Sequence, residues 1–218
     1  MSKPLREWLS LGARNSNDAG PLDSQEIICG TNPPIELSPM NILYIHGYNG
    51  NMHGNSYIHL AQHSSWHNLH SIDYDPEQPE QAIQSIKQYV ADNQIDLIIG
   101  ASLGGFLAMH IFGVPRIVVN PCWNPAVELP IVGYTGDTAV YERLLSHLLA
   151  NINEEESRLC TGCFAASDEL LGTRYKSEFE KYFCHTFDIS DGHRITDTSA
   201  KEIMMYINKM IIDTTTNL

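Results

Sequence analysis

From Asn41 onward, short apolar runs alternate with longer segments of mixed polar and apolar character. The runs NILYIHGY (41–48), NLHSIDY (68–74), DLIIG (96–100), RIVVNP (116–121), RLCTGCFAA (158–166) and HTFDIS (185–190) are strand-length and bounded by turn residues. Helices are expected between them over Asn55–His67, Pro79–Asp92, Leu103–Phe112, Thr138–Asn151 and Thr173–Tyr182, with Ser199–Ile212 closing the chain. Six strands alternating with helices predict a doubly wound α/β architecture, a mostly parallel sheet covered on both faces, spanning residues 41–218. Residues 1–40 break this pattern. They are polar and punctuated by Gly20, Pro21, Gly30, Pro33, Pro34 and Pro39, with one short apolar group at Trp8, Leu9 and Leu11, and read as an irregular extension.

The stretch Leu97–Pro115 carries no Asp, Glu, Lys or Arg, and Gly100 and Gly104 form a GxxxG, so length alone would allow a membrane span. Four glycines and a proline argue against one, as does its change of character from strand-like DLIIG to helix-like SLGGFLAMHIFG. A buried strand, turn and helix explains the same residues better. Composition agrees: 43% of the 218 residues are hydrophobic, enough for a core. Thirteen Lys and Arg against twenty-six Asp and Glu give a net charge of −13, which disfavours nucleic acid and anionic lipid as partners. Five cysteines are an odd number, and the first residues lack a continuous apolar leader, so a cytoplasmic protein with reduced thiols is expected. Cys160 and Cys163 form a lone CxxC within an apolar strand-like run, where packing is the simpler role.

Ligands of such sheets sit beyond the carboxyl ends of the strands, so the loops after the strands carry the candidate chemistry. The third loop reads Gly100-Ala101-Ser102-Leu103-Gly104, a G-x-S-x-G between a strand and a helix. The turn is so sharp that its flanking positions tolerate almost no side chain, which leaves the serine hydroxyl projecting above the sheet. Ser102 is therefore the candidate nucleophile. It needs an imidazole to take its proton and an acid to orient that imidazole, in the chain order Ser, acid, His. Asp168 follows the fifth strand and His193 the sixth. Glu169 should point elsewhere, Asp188 and Asp191 are poorly placed to orient the ring, and His185 and His110 lie on a strand and behind the elbow. The backbone N–H groups of Leu103 and Tyr48 are the candidate oxyanion donors, and His46 reads as a residue that fastens the Tyr48 loop.

His59, His63 and His67 recur at four-residue spacing and would share one helix face. No acidic third ligand accompanies them, so an exposed polar face is expected rather than a metal site. The elbow is no phosphate loop either, because Phe106 and Leu107 stand where a Lys and a Ser or Thr would follow.

HGYN (46–49), GASLGGF (100–106), VVNPCWNP (118–125), ASDELL (166–171) and DGHRI (191–195) together resemble the motif set of small α/β-hydrolases, most closely the YqiA-like esterases. The resemblance implies an α/β-hydrolase fold over about residues 41–213, with Ser102 as nucleophile, Asp168 as acid and His193 as base in the hydrolysis of acyl esters. Ala101, Cys122, Trp123 and the first forty residues depart from the pattern and bear on substrate. Only residues Cys122–Asp137 are available for a lid, so little or no cap domain is expected. A shallow pocket bordered by Tyr48, Asn49, Met52, Trp123 and Leu170 would suit short acyl groups. The expected partner is a small-molecule ester, without cofactor, metal, nucleic acid or membrane. The same triad would serve a thioesterase, and a catalytically silent binding module on the same fold is the reading from a different class.

Overall fold

The interior strands are apolar on both faces, as a parallel sheet sandwiched between helices requires. The computed structural model describes residues 39–64, 66–171 and 175–216, with side chains through 211. The extension read over 1–40 lies, apart from its last two positions, outside the described residues. Strands β1 (Asn41–Ile45), β2 (Asn68–Ile72), β3 (Leu97–Ala101), β4 (Arg116–Val119), β5 (Cys160–Ala165) and β6 (His185–Ile189) form one parallel sheet in the order β2-β1-β3-β4-β5-β6. Every residue of β3, β4 and β5 is buried, whereas the edge strands β2 and β6 are largely half-buried or exposed.

The helices are α1 (Asn55–His63), α2 (Pro79–Asp92), α3 (Leu103–Met109), α4 (Pro125–Ile131), α5 (Ala139–Asn151), α6 (Glu154–Leu159), α7 (Lys176–Phe179) and α8 (Asp197–Thr216). Period-two alternation sends Leu43, Ile45, Ile98, Val118 and Phe164 to one face, where α2, α3 and α5 cover them with Ile83, Ile86, Phe106 and Tyr141. Ile42, Tyr44, Ile99, Ile117 and Val119 take the other face, under Leu60 of α1 and Ile203, Met204 and Ile207 of α8. The uncharged run is thus divided between β3 and α3, and all seven residues of α3 are buried. Among the described residues no helix is long and apolar enough to cross a membrane.

Several local expectations change. Helix α1 stops at His63, with the Ser64 hydroxyl donating back to the Ala61 carbonyl at 3.2 Å, so His67 is not on its face. Instead His67 Nδ1 accepts the Met40 N–H at 3.2 Å and Nε2 faces Asn208 Oδ1 at 3.3 Å, while His63 Nε2 lies 2.8 Å from Asp197 Oδ1. His63 and His67 therefore serve separate contacts. The acidic triplet Glu154–Glu156 before β5 opens helix α6, and Asn153 caps it by accepting the Glu156 N–H at 2.9 Å. Glu156 is buried because it meets Arg116 Nη2 at 2.7 Å and accepts the Gly113 N–H at 2.7 Å. The helix expected over Thr173–Tyr182 is the single turn of α7, with residues 172–174 outside the described set. Cys160 and Cys163 are three apart on one strand and so face opposite cores, each buried, with burial pushing the Cys160 thiol up to about 11.

Candidate active site

The chain runs from β1 outward to β2, then crosses back so that β3 lies on the other side of β1. This reversal opens a crevice between the carboxyl ends of β1 and β3, the place where such sheets bind ligands. Ser102 stands at the end of β3 with φ 51° and ψ −117°, a left-handed backbone that a residue with a Cβ adopts only when its surroundings impose it. Here its N–H donates to the Val119 carbonyl at 2.9 Å, and its own carbonyl accepts from Gly105 at 2.9 Å and Cys122 at 3.0 Å. Two glycines make the turn feasible. A Cβ on Gly100 would come within 2.5 Å of the Gly104 carbonyl oxygen, and one on Gly104 would collide with the carbonyl oxygens of Ile45 and His46.

Across the crevice, the loop after β1 passes directly beside the serine. A Cβ on Gly47 would sit 3.1 Å from Ser102 Cβ and 3.7 Å from its Oγ, so Gly47 is the position of close approach and Tyr48 follows it. This loop is fastened to the end of β2. His46 Nε2 contacts Asp73 Oδ1 at 3.0 Å, the His46 ring stacks on Tyr74 at 4.6 Å, and the Tyr74 hydroxyl donates to the His46 carbonyl at 2.9 Å. His46 is thus a fastening residue, as its position suggested, and Asp73 and Tyr74 are partners that the sequence reading did not single out. Asp73 Oδ1 also accepts the Met52 N–H at 2.7 Å, and Asn49 takes a left-handed φ of 57°.

His193 and Asp168 are brought together. His193 Nδ1 lies 2.9 Å from Asp168 Oδ2, with both side chains buried. Asp168 Oδ1 meanwhile accepts the Leu170 and Leu171 N–H groups at 2.8 and 2.9 Å. Burial by itself would raise the Asp168 carboxyl, but the His193 contact and these two N–H donors outweigh it and hold the group below its ordinary range. An ionised carboxylate only accepts, so Nδ1 carries a proton, and in the neutral ring the lone pair then falls on Nε2, the form a general base needs. The rejected acids lie elsewhere. Asp188 pairs with Lys176 at 2.7 Å, and Asp191 accepts from Thr196 and Ser199 at the start of α8. Glu169 Oε2 accepts the His193 backbone N–H at 3.0 Å, while the ring Nδ1 is taken by Asp168.

The remaining positions are distributed around this end of the sheet. Leu103 is buried at the first position of α3, where a helix leaves its N–H without an intrahelical acceptor. Tyr48 is half-buried with its ring edge-on to Tyr134 at 5.8 Å, and Leu170 is 49% exposed. Trp123 is largely enclosed, its ring 6.1 Å from Phe179 and 5.8 Å from Tyr182, so core packing takes up most of its surface. The Cys122–Asp137 segment holds one short helix, α4, which presents Val127 and Ile131 outward.

Sheet order, elbow and loop placement together define an α/β-hydrolase fold. More specifically, the chain belongs to the uncharacterised protein family UPF0227, whose model matches residues 41–212. A UPF0227 protein of Yersinia enterocolitica is 24% identical over 173 residues, covering 72% of this chain and 92% of the relative. One from Vibrio atlanticus is 24% identical over 168 residues, with 72% and 93% covered. Among solved structures, Est1E from Butyrivibrio proteoclasticus superposes with a TM-score of 0.62 at 12% identity, covering 82% of this chain and 89% of its own. The esterase domain of a Rhodothermus marinus protein gives 0.58 at 11% identity, with 83% and 91% covered. At such identities the likeness is one of fold.

Proposed function

We propose that this protein is a serine hydrolase of carboxylic esters, acting through Ser102, His193 and Asp168. The observation that carries the reading is the buried 2.9 Å contact between His193 Nδ1 and Asp168 Oδ2, at the same end of the sheet as a serine held at positive φ. In this reading the ester carbonyl oxygen is received by the N–H groups of Tyr48 and Leu103. Ser102 Oγ attacks the carbonyl carbon as His193 Nε2 takes its proton, and the same proton passes to the departing alkoxide. Water, deprotonated by His193, then attacks the acyl-serine, and the proton returns to Ser102 as the acid leaves. Each oxyanion donor contributes about 3 kcal/mol to the transition state. The esterases among the structural neighbours support this class of chemistry. The Cys122–Asp137 segment, with its single short helix, favours short acyl chains. Free thiols at Cys122, Cys160, Cys163 and Cys184 suit a reducing, cytoplasmic compartment.

A fluorophosphonate probe tests the reading directly. It should label the wild type and not Ser102→Ala; a folded wild type that resists labelling would overturn it. With p-nitrophenyl esters of increasing chain length, activity should fall beyond short acyl groups. A preference for long chains would refute the short-chain assignment.

A further inference from the structure

Asn120, the first residue after β4, is 3% exposed and adopts a left-handed φ of 43°. Its backbone N–H donates to the Cys163 carbonyl at 2.8 Å, prolonging the β4–β5 ladder by one bond. Its side chain then does what no further strand residue could. Oδ1 accepts the Ala165 N–H at 2.8 Å, and Nδ2 donates to the carbonyls of Gly192 and His193, both at 3.1 Å. The orientation of the amide is fixed by its partners, since one end meets an N–H and the other meets two carbonyl oxygens. Two residues on, the Cys122 N–H donates to the Ser102 carbonyl at 3.0 Å. One turn, Asn120–Cys122, therefore grips the main chain of both the nucleophile and the base.

Glu169 completes the hold on His193. It takes the His193 N–H from one side while Asn120 takes the His193 carbonyl from the other. With both ends of that residue's main chain fixed, the ring retains only side-chain rotation, and Asp168 removes that. We infer that Asn120 is a positioning residue that sets the His193 imidazole against Ser102, with Glu169 as the second jaw of the same clamp. The inference rests on the proposed triad and adds to it two side chains that touch neither substrate nor the reacting atoms. Misplacing a reacting group by about an ångström lowers turnover about 100-fold, which sets the scale of the expected effect.

Asn120→Asp is the informative variant. An Asp keeps the shape and an oxygen for the Ala165 N–H, but places a second oxygen against the carbonyls of residues 192 and 193, so it releases the histidine loop and leaves β4–β5 joined. Asn120→Gly suits the left-handed backbone and removes all three side-chain bonds. Glu169→Ala opens the exposed jaw and remains folded. Two readouts apply: kcat per active site titrated by fluorophosphonate, and the proton NMR signal of the His193 Nδ1–H hydrogen-bonded to Asp168. The expected result is a 10- to 100-fold loss of kcat in Asn120→Asp and Asn120→Gly alike, with KM within about twofold, and a smaller loss in Glu169→Ala. The Nδ1–H signal should broaden or vanish in each. If the Asn120 variants do not fold, Glu169→Ala alone decides the matter by the same two readouts. Per-site kcat within twofold of wild type and an intact Nδ1–H signal in the folded variants would overturn the inference. The NMR signal does not depend on turnover, so its loss in an enzyme that hydrolyses no ester would refute the esterase reading and support the clamp.

Discussion

Replacing Asp168 by Asn separates orientation from charge at the site in a way the hydrogen bonds make explicit. Asp168 Oδ1 is held by two N–H donors, from Leu170 and Leu171, and Oδ2 by the His193 ring. An asparagine must keep its carbonyl oxygen toward the two N–H groups, because turning its NH₂ there would set donors against donors. Its NH₂ is then forced onto His193 Nδ1. That nitrogen must accept, the ring proton moves to Nε2, and in the proposed mechanism Ser102 would then meet a donor in place of the lone pair that takes its proton. The fold is undisturbed and the base is in the wrong tautomer. In triads of this kind the amide substitution lowers kcat about 10⁴-fold, equivalent to about 5 kcal/mol of transition-state stabilisation. Hydrolysis of p-nitrophenyl acetate and the rate constant of fluorophosphonate labelling should fall together, with near-UV circular dichroism unchanged. Retention of more than about a tenth of wild-type kcat in a folded Asp168→Asn protein would refute the assignment of Asp168 as the residue that fixes the tautomer.

Acid titration should expose the same carboxylate. Its folded pKa is held below the ordinary value, so the stability it contributes is complete above the unfolded pKa, about 4, and is lost as pH falls through the folded value. Asp191, through Thr196 and Ser199, and Glu169, through backbone N–H groups, are shifted the same way, so wild-type Tm should decline below about pH 4, and Asp168→Asn should decline less over that window. A distinct measurement concerns Arg116, which donates from Nη1 to the carbonyls of Ile111 and Val114 and from Nη2 to Glu156, with its side chain fully buried. Arg116→Met strands the Glu156 carboxylate and should destabilise by about 3–5 kcal/mol, lowering Tm on the order of 10 °C. The double variant with Glu156→Leu should recover most of this, and equal Tm values for single and double variants would show that the buried charge is not the cause.

The residues of the proposed triad can be read from strand ends because their types and order are constrained. A serine between close-packed glycines marks itself, and Asp168 and His193 each follow an apolar run by a few positions. The residues that hold them could not be found this way. Asn120 acts on carbonyls 72 and 73 positions away, Asp73 on a ring 27 positions back, and Glu169 on an N–H 24 positions ahead. Those contacts exist only once the sheet has ordered its strands. The helix α6 was within reach, since Asn153 with Glu156 three residues later is a capping signal. Three consecutive glutamates read by themselves as a solvated segment, and partners distant in sequence, Arg116 and the Gly113 N–H, explain why one of them is buried. The histidine spacing misled for a related reason: periodicity describes a helix that continues, and Ser64 ends this one before His67.

Backbone strain points to the same end of the sheet. Among the described residues, left-handed conformations occur at Asn49, Gln94, Ser102 and Asn120, and at Gly113 and Gly133. Gln94 ends α2, where the Ile95 N–H returns to the Val90 carbonyl at 3.0 Å, and Gly133 ends α4 in the same manner; such residues are ordinary helix stops. Gly113 follows α3 and has the freedom of a glycine. The other three terminate no helix. Asn49 lies in the loop after β1, Ser102 at the end of β3 and Asn120 at the end of β4, on three neighbouring strands. Each left-handed residue with a Cβ costs about 1–2 kcal/mol, and such strain persists only where the surroundings over-determine it. For Ser102 and Asn120 those surroundings are the doubly buried interior strands and main-chain hydrogen bonds from their neighbours. The rigid centre of the sheet thus maintains the bent conformations at its rim. In the proposed mechanism the buried interior strands, rather than the exposed edges, therefore carry the nucleophile and the residue that positions its base.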